Sequence, residues 1–180
     1  ATTDQLGVSR LSDQLGCQFR RTIQVVGDEV IFLSAHGVYS LTLHPKGYGA
    51  VGLPPQAVMV ADAALSDPIE DILDTIDFRN PVDDPDWNMT SAMFHRGRYY
   101  LMVRQNADNF ARRKCLIYNT KLKAWESVDD YTTLSPLKLF SMNASPGAKP
   151  MLLCTTGVLV ELEVTEDGKD HYWETTGDSE

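Results

Sequence analysis

Cysteine is scarce in this sequence, and its three copies lie far apart. Cys17, Cys115 and Cys154 form no C-x-x-C pair among the 180 residues. An odd, widely spaced set argues against a disulfide scaffold and against a structural zinc site. We therefore expect all three to be small buried hydrophobic side chains in a reducing compartment.

Long hydrophobic runs are also missing. The longest apolar stretches, at 57–65 and 151–155, are far shorter than the roughly 20 residues that a membrane-spanning helix needs. The first five residues have neither the basic nor the apolar region of a signal peptide. The chain begins with Ala1 rather than Met, which is compatible with a piece of a longer protein or with processing. We expect no membrane-spanning segment.

Positive charge is in deficit. The 16 basic residues face 25 acidic ones, so the net charge is −9. Such a surface should repel DNA rather than bind it. The two basic clusters, Arg20-Arg21 and Arg112-Arg113-Lys114, are predicted to be solvated loop charges, with phosphate or partner contact as the alternative.

Motifs that carry chemistry are absent from the sequence. The four histidines have no metal-ligand spacing, and there is no nucleophile elbow, P-loop or dinucleotide fingerprint. The acidic group Asp83, Asp84 and Asp86 is interrupted by Pro85 and lacks the terminal Glu of a calcium loop. We expect no catalytic residue, no cofactor and no metal site.

A strand-turn-strand pattern is present instead, and it occurs three times. The first copy, from Thr22 to Leu41, has a two-residue turn at Gly27-Asp28 and a second turn marked by Gly37. The second begins at Ser91 with a turn at Arg96-Gly97. It continues through a predicted polar loop at 105–114 to two further strands, the last of which carries Trp125.

The third copy contains a predicted Pro/Gly turn at 145–150 and another turn at Thr156-Gly157. Units spaced by roughly 45 residues are typical of repeated four-stranded sheets. The predicted fold is mainly β. It consists of about three antiparallel, four-stranded β-propeller blades at 15–60, 88–130 and 132–175, in a single segment 1–180 that belongs to a larger propeller.

One helix interrupts the repeats. Asp67 is predicted to be the N-cap, followed by Pro68 at the first helical position and by Glu70 of a capping box. Ile69, Ile72, Leu73 and Ile76 fall on one helical face. The pattern predicts a helix near 68–77, within an insertion at 66–78. Its outer face carries Glu70, Asp71 and Asp74, either as solvated charges or as a docking surface for a partner.

The order of these motifs resembles the propeller segments of bacteriophage tail proteins, namely the nozzle or hub proteins of short-tailed phages. The resemblance covers most of residues 15–175. It rests on the hairpin with Gly27-Asp28, on the helix after it, and on the blade with Phe94–Leu101, Leu116–Asn119 and Ala124–Glu126. Such tail proteins are several times longer than this chain.

The resemblance implies a structural virion component that assembles in the bacterial host cytoplasm. Its partners would be copies of itself and other tail or portal-adaptor proteins. The assembly would be a ring or tube that closes the exit and conducts DNA transiently during ejection.

Two other readings remain open. A non-catalytic binding module would recognise a peptide or glycan through a loop patch around Tyr48, Trp87 and Phe110. A propeller enzyme would require convergent acidic residues in a central pocket. The predicted partner-contact residues are Glu70, Asp71, Asp74, Trp87 and Phe110.

Overall fold

The computed structural model describes residues 16–45, 57–61, 65–76, 90–107, 110–144, 147–162 and 171–173. Three antiparallel sheets of four strands account for most of them. The first sheet contains β1 (Gln24–Val26), β2 (Glu29–Ser34), β3 (Gly37–Pro45) and β4 (Ala57–Ala61). A 3-10 helix at Arg20–Thr22 precedes it.

The other two sheets repeat this topology. The second sheet contains β5 (Ser91–His95), β6 (Arg98–Ala107), β7 (Phe110–Asn119) and β8 (Ala124–Asp130). After a 3-10 helix at Thr132–Leu134, the third contains β9 (Pro136–Ala144), β10 (Gly147–Cys154), β11 (Leu159–Glu161) and β12 (His171–Trp173). In each sheet the strands lie side by side in chain order.

The predicted fold class is thus confirmed at the level of a mainly β protein with antiparallel sheets. Within the described residues no closed barrel or propeller is found. The three sheets lie close to the residue ranges 15–60, 88–130 and 132–175 that the sequence pattern assigns to its three units.

Two predicted hairpin turns are confirmed. Val26 pairs with Glu29 across Gly27-Asp28, and His95 pairs with Arg98 across Arg96-Gly97. Gly27 has a φ of 64°, while Arg96 and Gly97 have φ values of 45° and 83°. Two successive positive φ values are those of a type I′ turn, whose twist matches that of the flanking strands.

Two predicted loops are wrong. Residues 105–107 and 110–114 are strand rather than loop, because the ladder of β6 and β7 continues from Val103 and Lys114 to Ala107 and Phe110. Paired strands satisfy each other's backbone groups, so polar side chains do not prevent an extended hairpin. The predicted turn at 145–150 is also too long, since β10 already begins at Gly147.

The helix is shorter than predicted. A 3-10 turn spans Asp67–Ile69 and an α-helix, α1, spans only Glu70–Leu73, where the pattern predicted 68–77. The predicted cap at Asp67 is wrong too, because the N-cap is Ser66 and no side-chain capping bond forms. Unsupported by such a cap, the segment depends on packing for its stability.

The apolar face of the helical segment is confirmed. Ile69, Leu73 and Ile76 are buried, and Ile72 packs against them from a partly buried position. They join the core between the first and second sheets.

The second sheet is apolar on both faces, which makes it the middle layer. On β6, Tyr99, Leu101 and Val103 belong to the core shared with the first sheet. The alternate residues Tyr100 and Met102 belong to the core shared with the third sheet. Because side chains alternate along a strand, a continuous apolar run is what a strand buried on both faces requires.

The first strands of the three sheets lie next to one another. Gln24 on β1 donates from Nε2 to the carbonyl oxygen of Ala92 on β5, at 2.9 Å. On the other side of β5, the hydroxyl of Ser91 accepts the N–H of Leu139 on β9, at 3.2 Å. The three sheets therefore converge along β1, β5 and β9.

Candidate docking site

The structure places three of the five predicted partner-contact residues together. Glu70, Asp71 and Asp74 are all exposed on the short helical segment. Trp87 lies outside the described residues. Phe110 begins β7, but its side chain is outside the described part of the chain.

A groove of about 420 Å³ lies between this helical segment and the turn that joins β2 to β3. Leu73 and Ile76 are buried and form its apolar floor, while Glu70 and Asp74 are exposed at its rim. His36, also exposed, stands on the opposite side. We call this feature the helix groove.

Local hydrogen bonds hold the two walls of the helix groove together. The buried Ser66 hydroxyl accepts the N–H of Val38 at 3.0 Å. The carbonyl of Val38 in turn accepts the N–H of Leu65 at 2.8 Å. The start of the helical segment is thus fixed to β3, and the rim carboxylates project from a fixed support.

The charge of the helix groove suits a cation on an apolar stem. Glu70 and Asp74 are four residues apart and therefore lie on one side of the segment. No group of three or more His, Cys, Asp and Glu side chains among the described residues could hold a metal ion. The two carboxylates can accept hydrogen bonds from the ammonium group of a lysine or the guanidinium group of an arginine. The methylenes of that side chain would then cover the apolar floor.

A second cavity, of about 230 Å³, lies between the second and third sheets. Tyr100, Cys115, Ile117 and Leu162 give it an apolar interior, and Arg98 and Glu126 lie at its edge. Arg98 donates from Nε to Glu126 at 2.6 Å, and Asn119 donates to the other carboxylate oxygen at 2.6 Å.

These bonds, from Asn119 and then from Arg98, hold the pKa of Glu126 below its usual value. The carboxylate consequently stays ionised at neutral pH, so it is unsuited to donate a proton. This cavity belongs to the packing between the sheets.

The prediction that the cysteines are buried is confirmed at two positions and wrong at the third. Cys115 and Cys154 are buried, whereas Cys17 is exposed. Cys17 forms an isolated antiparallel bridge with Ser34, outside the named strands. Its sulfur is partly enclosed and donates to the carbonyl of Phe19 at 3.1 Å. Partial burial raises its pKa, which favours the thiol over the reactive thiolate.

Sequence reasoning missed two parts of the site. On sequence grounds the turn at Gly37 is a sufficient reason for His36, and the spacing of this histidine does not predict that it lines a groove with Glu70 and Asp74. The local capping pattern favours Asp67 over Ser66, because such a pattern cannot show that the serine hydroxyl bonds to a strand 28 residues away.

Comparisons with known proteins identify no relative. A scan against protein-family models, a search of curated proteins and a search of solved structures each find no match. Among the described helices, none has the length and apolar character needed to cross a bilayer.

Proposed function

We propose that this chain is a segment of a larger β-propeller that serves as a non-catalytic structural component of a bacteriophage tail. The observation that carries the proposal is the position of the second sheet. It is buried on both faces between two sheets of the same topology, with the first strands of all three side by side. Blades stack in this way around a propeller axis.

This arrangement favours assembly. Closed propellers typically have about four to eight blades, so three sheets need further sheets to complete a ring. Further chain or further copies would supply them. Copies of the chain would then form a ring or tube, in which the first strands face the inside.

The assignment to a phage tail rests on the order of motifs in the sequence. The hairpin with Gly27-Asp28, the helical segment after it and the Trp125-bearing blade follow one another as in the nozzle and hub proteins of short-tailed phages. In such an assembly the partners would be copies of this chain and other tail or portal-adaptor proteins. The net charge of −9 would let DNA pass without trapping it.

A second function is favoured by the helix groove. Its apolar floor and its carboxylates at Glu70 and Asp74 suit a lysine or arginine side chain of a partner peptide. The chain would then be a propeller-like binding module, and the groove would be its peptide site.

Light scattering on the purified chain, followed by negative-stain imaging of any large species, separates the two functions. A structural tail component is expected to form rings or tubes of uniform diameter. A monomer at every concentration, with no large species in the images, would overturn the assembly proposal and leave the binding module.

A further inference from the structure

Charge is distributed very unevenly along this chain. Residues 96–123 contain eight basic residues and one acidic residue, a net charge of +7. The rest of the chain has eight basic and 24 acidic residues, a net charge of −16. The eight basic residues are Arg96, Arg98, Arg104, Arg112, Arg113, Lys114, Lys121 and Lys123. They all belong to β6, β7 and the turns next to them.

The turn between β7 and β8 presents part of this charge at the surface. Lys121, Leu122 and Lys123 are exposed, and Leu122 is 71% accessible to solvent. We call these three residues the basic tip. Protein interfaces commonly have an apolar centre surrounded by a polar rim. The basic tip has the same arrangement, with one large apolar side chain between two cations.

The basic tip is held in one conformation. The side-chain oxygen of Asn119 accepts the N–H of Lys121 at 2.9 Å and that of Leu122 at 3.0 Å. Thr120 donates both its N–H and its hydroxyl to the carbonyl of Gly97. A turn that is ordered before binding loses little conformational entropy when a partner binds.

We propose that the basic tip of one copy docks into the helix groove of a second copy. Leu122 covers the apolar floor at Leu73 and Ile76, while Lys121 and Lys123 reach the carboxylates of Glu70 and Asp74. The proposal rests on the proposed function, because it specifies a contact through which copies associate. The groove carries two carboxylates at its rim and the tip carries two ammonium groups, so the two surfaces are complementary in charge.

Within one chain the basic tip lies near the start of β6, and the helical segment runs from that end towards the other, since Trp125 just after the tip donates to the carbonyl of Leu65 at 2.7 Å. The basic tip is tied to Gly97, immediately before β6 begins. The helical segment is tied to the other end, where Gln105 donates from Nε2 to the carbonyl of Ile72 at 3.3 Å. Gln105 lies seven positions after Arg98, so these two ends of the strand are about 23 Å apart. In its own chain the ammonium of Lys123 lies 3.9 Å from a carboxylate oxygen of Glu29, an ion pair that docking would replace. The proposed contact joins two copies head-to-tail, and such contacts generate rings or filaments.

The choice of a second copy follows from charge. A nucleic acid or an anionic membrane would attract the basic tip but would repel a remainder that carries −16. A second copy presents the anionic helix groove to the tip. The basic tip of that second copy lies outside the contact, so the two basic tips do not repel each other there. The same separation of charge steers two copies into a defined orientation.

Zero-length carbodiimide crosslinking of the full chain tests this contact. Equal amounts of unlabelled and ¹⁵N-labelled protein are mixed, so that mass spectrometry distinguishes crosslinks between copies from those within one. We expect crosslinks between copies from Lys121 or Lys123 to Glu70 or Asp74. The Lys121→Glu, Lys123→Glu double variant should weaken association by about tenfold or more.

A charge swap and a matched control make the test specific. Mixing the double variant with Glu70→Lys, Asp74→Lys should restore the contact, now with crosslinks in the reverse direction. Lys138→Glu changes an exposed lysine on β9 and should leave both crosslinks and association unchanged. Crosslinks between copies from the tip to carboxylates outside the helix groove, or no rescue by the swap, would overturn the proposal. A crosslink from Lys123 to Glu29 within one copy is expected from their ion pair at 3.9 Å and does not bear on it.

The outcome is separable from that of the proposed function. Rings that persist in the double variant would refute the docking contact and leave the assembly. The expected crosslinks without any ring or tube would support the contact and refute the assembly. If the double variant loses binding to a short DNA duplex but associates with further copies as the wild type does, the tip is a nucleic-acid contact and the proposal is wrong.

Discussion

The hydroxyl of Tyr99 donates a hydrogen bond to the backbone carbonyl of Thr22, at 2.9 Å. Tyr99 is fully buried on β6, and this burial raises the pKa of its hydroxyl far above the usual range. The hydroxyl of Thr22 also accepts the N–H of Leu33, at 3.0 Å, and donates to the carbonyl of Phe19, at 2.7 Å. One buried residue before β1 thus joins the second sheet to the first.

Tyr99→Phe tests this joint. The variant keeps the ring but leaves the Thr22 carbonyl without its donor, which should lower the free energy of unfolding by about 1–3 kcal/mol. Urea denaturation measures the change. Tyr39→Phe, on a half-buried ring of the first sheet, is the matched control and should change stability by less than about 0.5 kcal/mol. If the two substitutions changed the free energy of unfolding equally, the hydrogen bond from Tyr99 to Thr22 would make no net contribution to stability.

Trp125 joins the second sheet to the chain before the helix. Its indole N–H donates to the carbonyl of Leu65 at 2.7 Å, and its ring lies 5.1 Å from that of Tyr118. Trp125→Ala should cost about 3 kcal/mol, because both the packing and the bond are lost. Trp125→Phe should cost about 1 kcal/mol, since most of the packing remains.

Thermal or urea unfolding of the two Trp125 variants provides the measurement. Leu122→Ala is the control, because that side chain is exposed and its removal should change stability by no more than about 0.5 kcal/mol. A loss below about 1 kcal/mol for Trp125→Ala would be typical of a surface position and would contradict the packed blade.

Arg96 occupies a backbone conformation that suits another residue. Its φ of 45° lies in the left-handed region, which is unfavourable for most side chains but well tolerated by asparagine. Arg96→Asn creates an Asn-Gly type I′ turn and should stabilise the protein by about 0.5–1 kcal/mol. Asp28→Asn in the β1–β2 turn has no positive φ to relieve, so it should give no such gain. A destabilised Arg96→Asn variant would show that the arginine side chain makes a larger contribution than its backbone costs.

Asp130 should contribute to the acid sensitivity of the fold. Hydrogen bonds from Lys114, at 2.7 Å, and from Thr132 hold the pKa of this carboxyl well below its usual value. An unfolded aspartate has a pKa of about 3.9, so the stabilisation is complete above that pH and is lost as the pH falls towards the lower folded pKa. The side chain is 48% exposed, so we expect the contribution to be less than about 1 kcal/mol.

The measurement is urea unfolding at about pH 6 and again at about pH 3 for the wild type and for Asp130→Asn. The wild type should lose more stability on acidification than the variant does. Asp71→Asn, on the exposed helical segment, serves as the control. Parallel losses in the wild type and Asp130→Asn would show that the carboxylate does not stabilise the folded state.

The strands could be predicted largely because hairpin turns and alternating apolar residues are local signals. Gly27-Asp28 and Arg96-Gly97 determine where the chain reverses, and both turns form where the pattern placed them. The long β6–β7 hairpin was missed because its polar far end contains no apolar alternation, although the backbone ladder continues through it. Apolar and polar residues alternate along a strand when one of its faces is buried. A hydrogen-bonded pair of strands with both faces exposed has no such pattern in its sequence.

The candidate site was predictable only in part. Glu70 and Asp74 could be placed on one side of a helix by their spacing. Their position opposite His36, above a floor of buried side chains, depends on how the helix packs against β3. That packing is fixed by Ser66 and Val38, two residues whose bond is not encoded in any local motif.

The five residues from Tyr99 to Val103 are all buried, because the second sheet is covered on both sides. The same property makes this run an aggregation hazard before the third sheet, the last to be synthesised, has packed. Short segments rich in aromatic and branched side chains without charge pair readily with the same segment of another chain. Arg98 and Arg104 stand at its two ends, where charged residues act as gatekeepers that oppose such pairing. Replacing both arginines with uncharged residues should therefore lower the yield of soluble protein during synthesis.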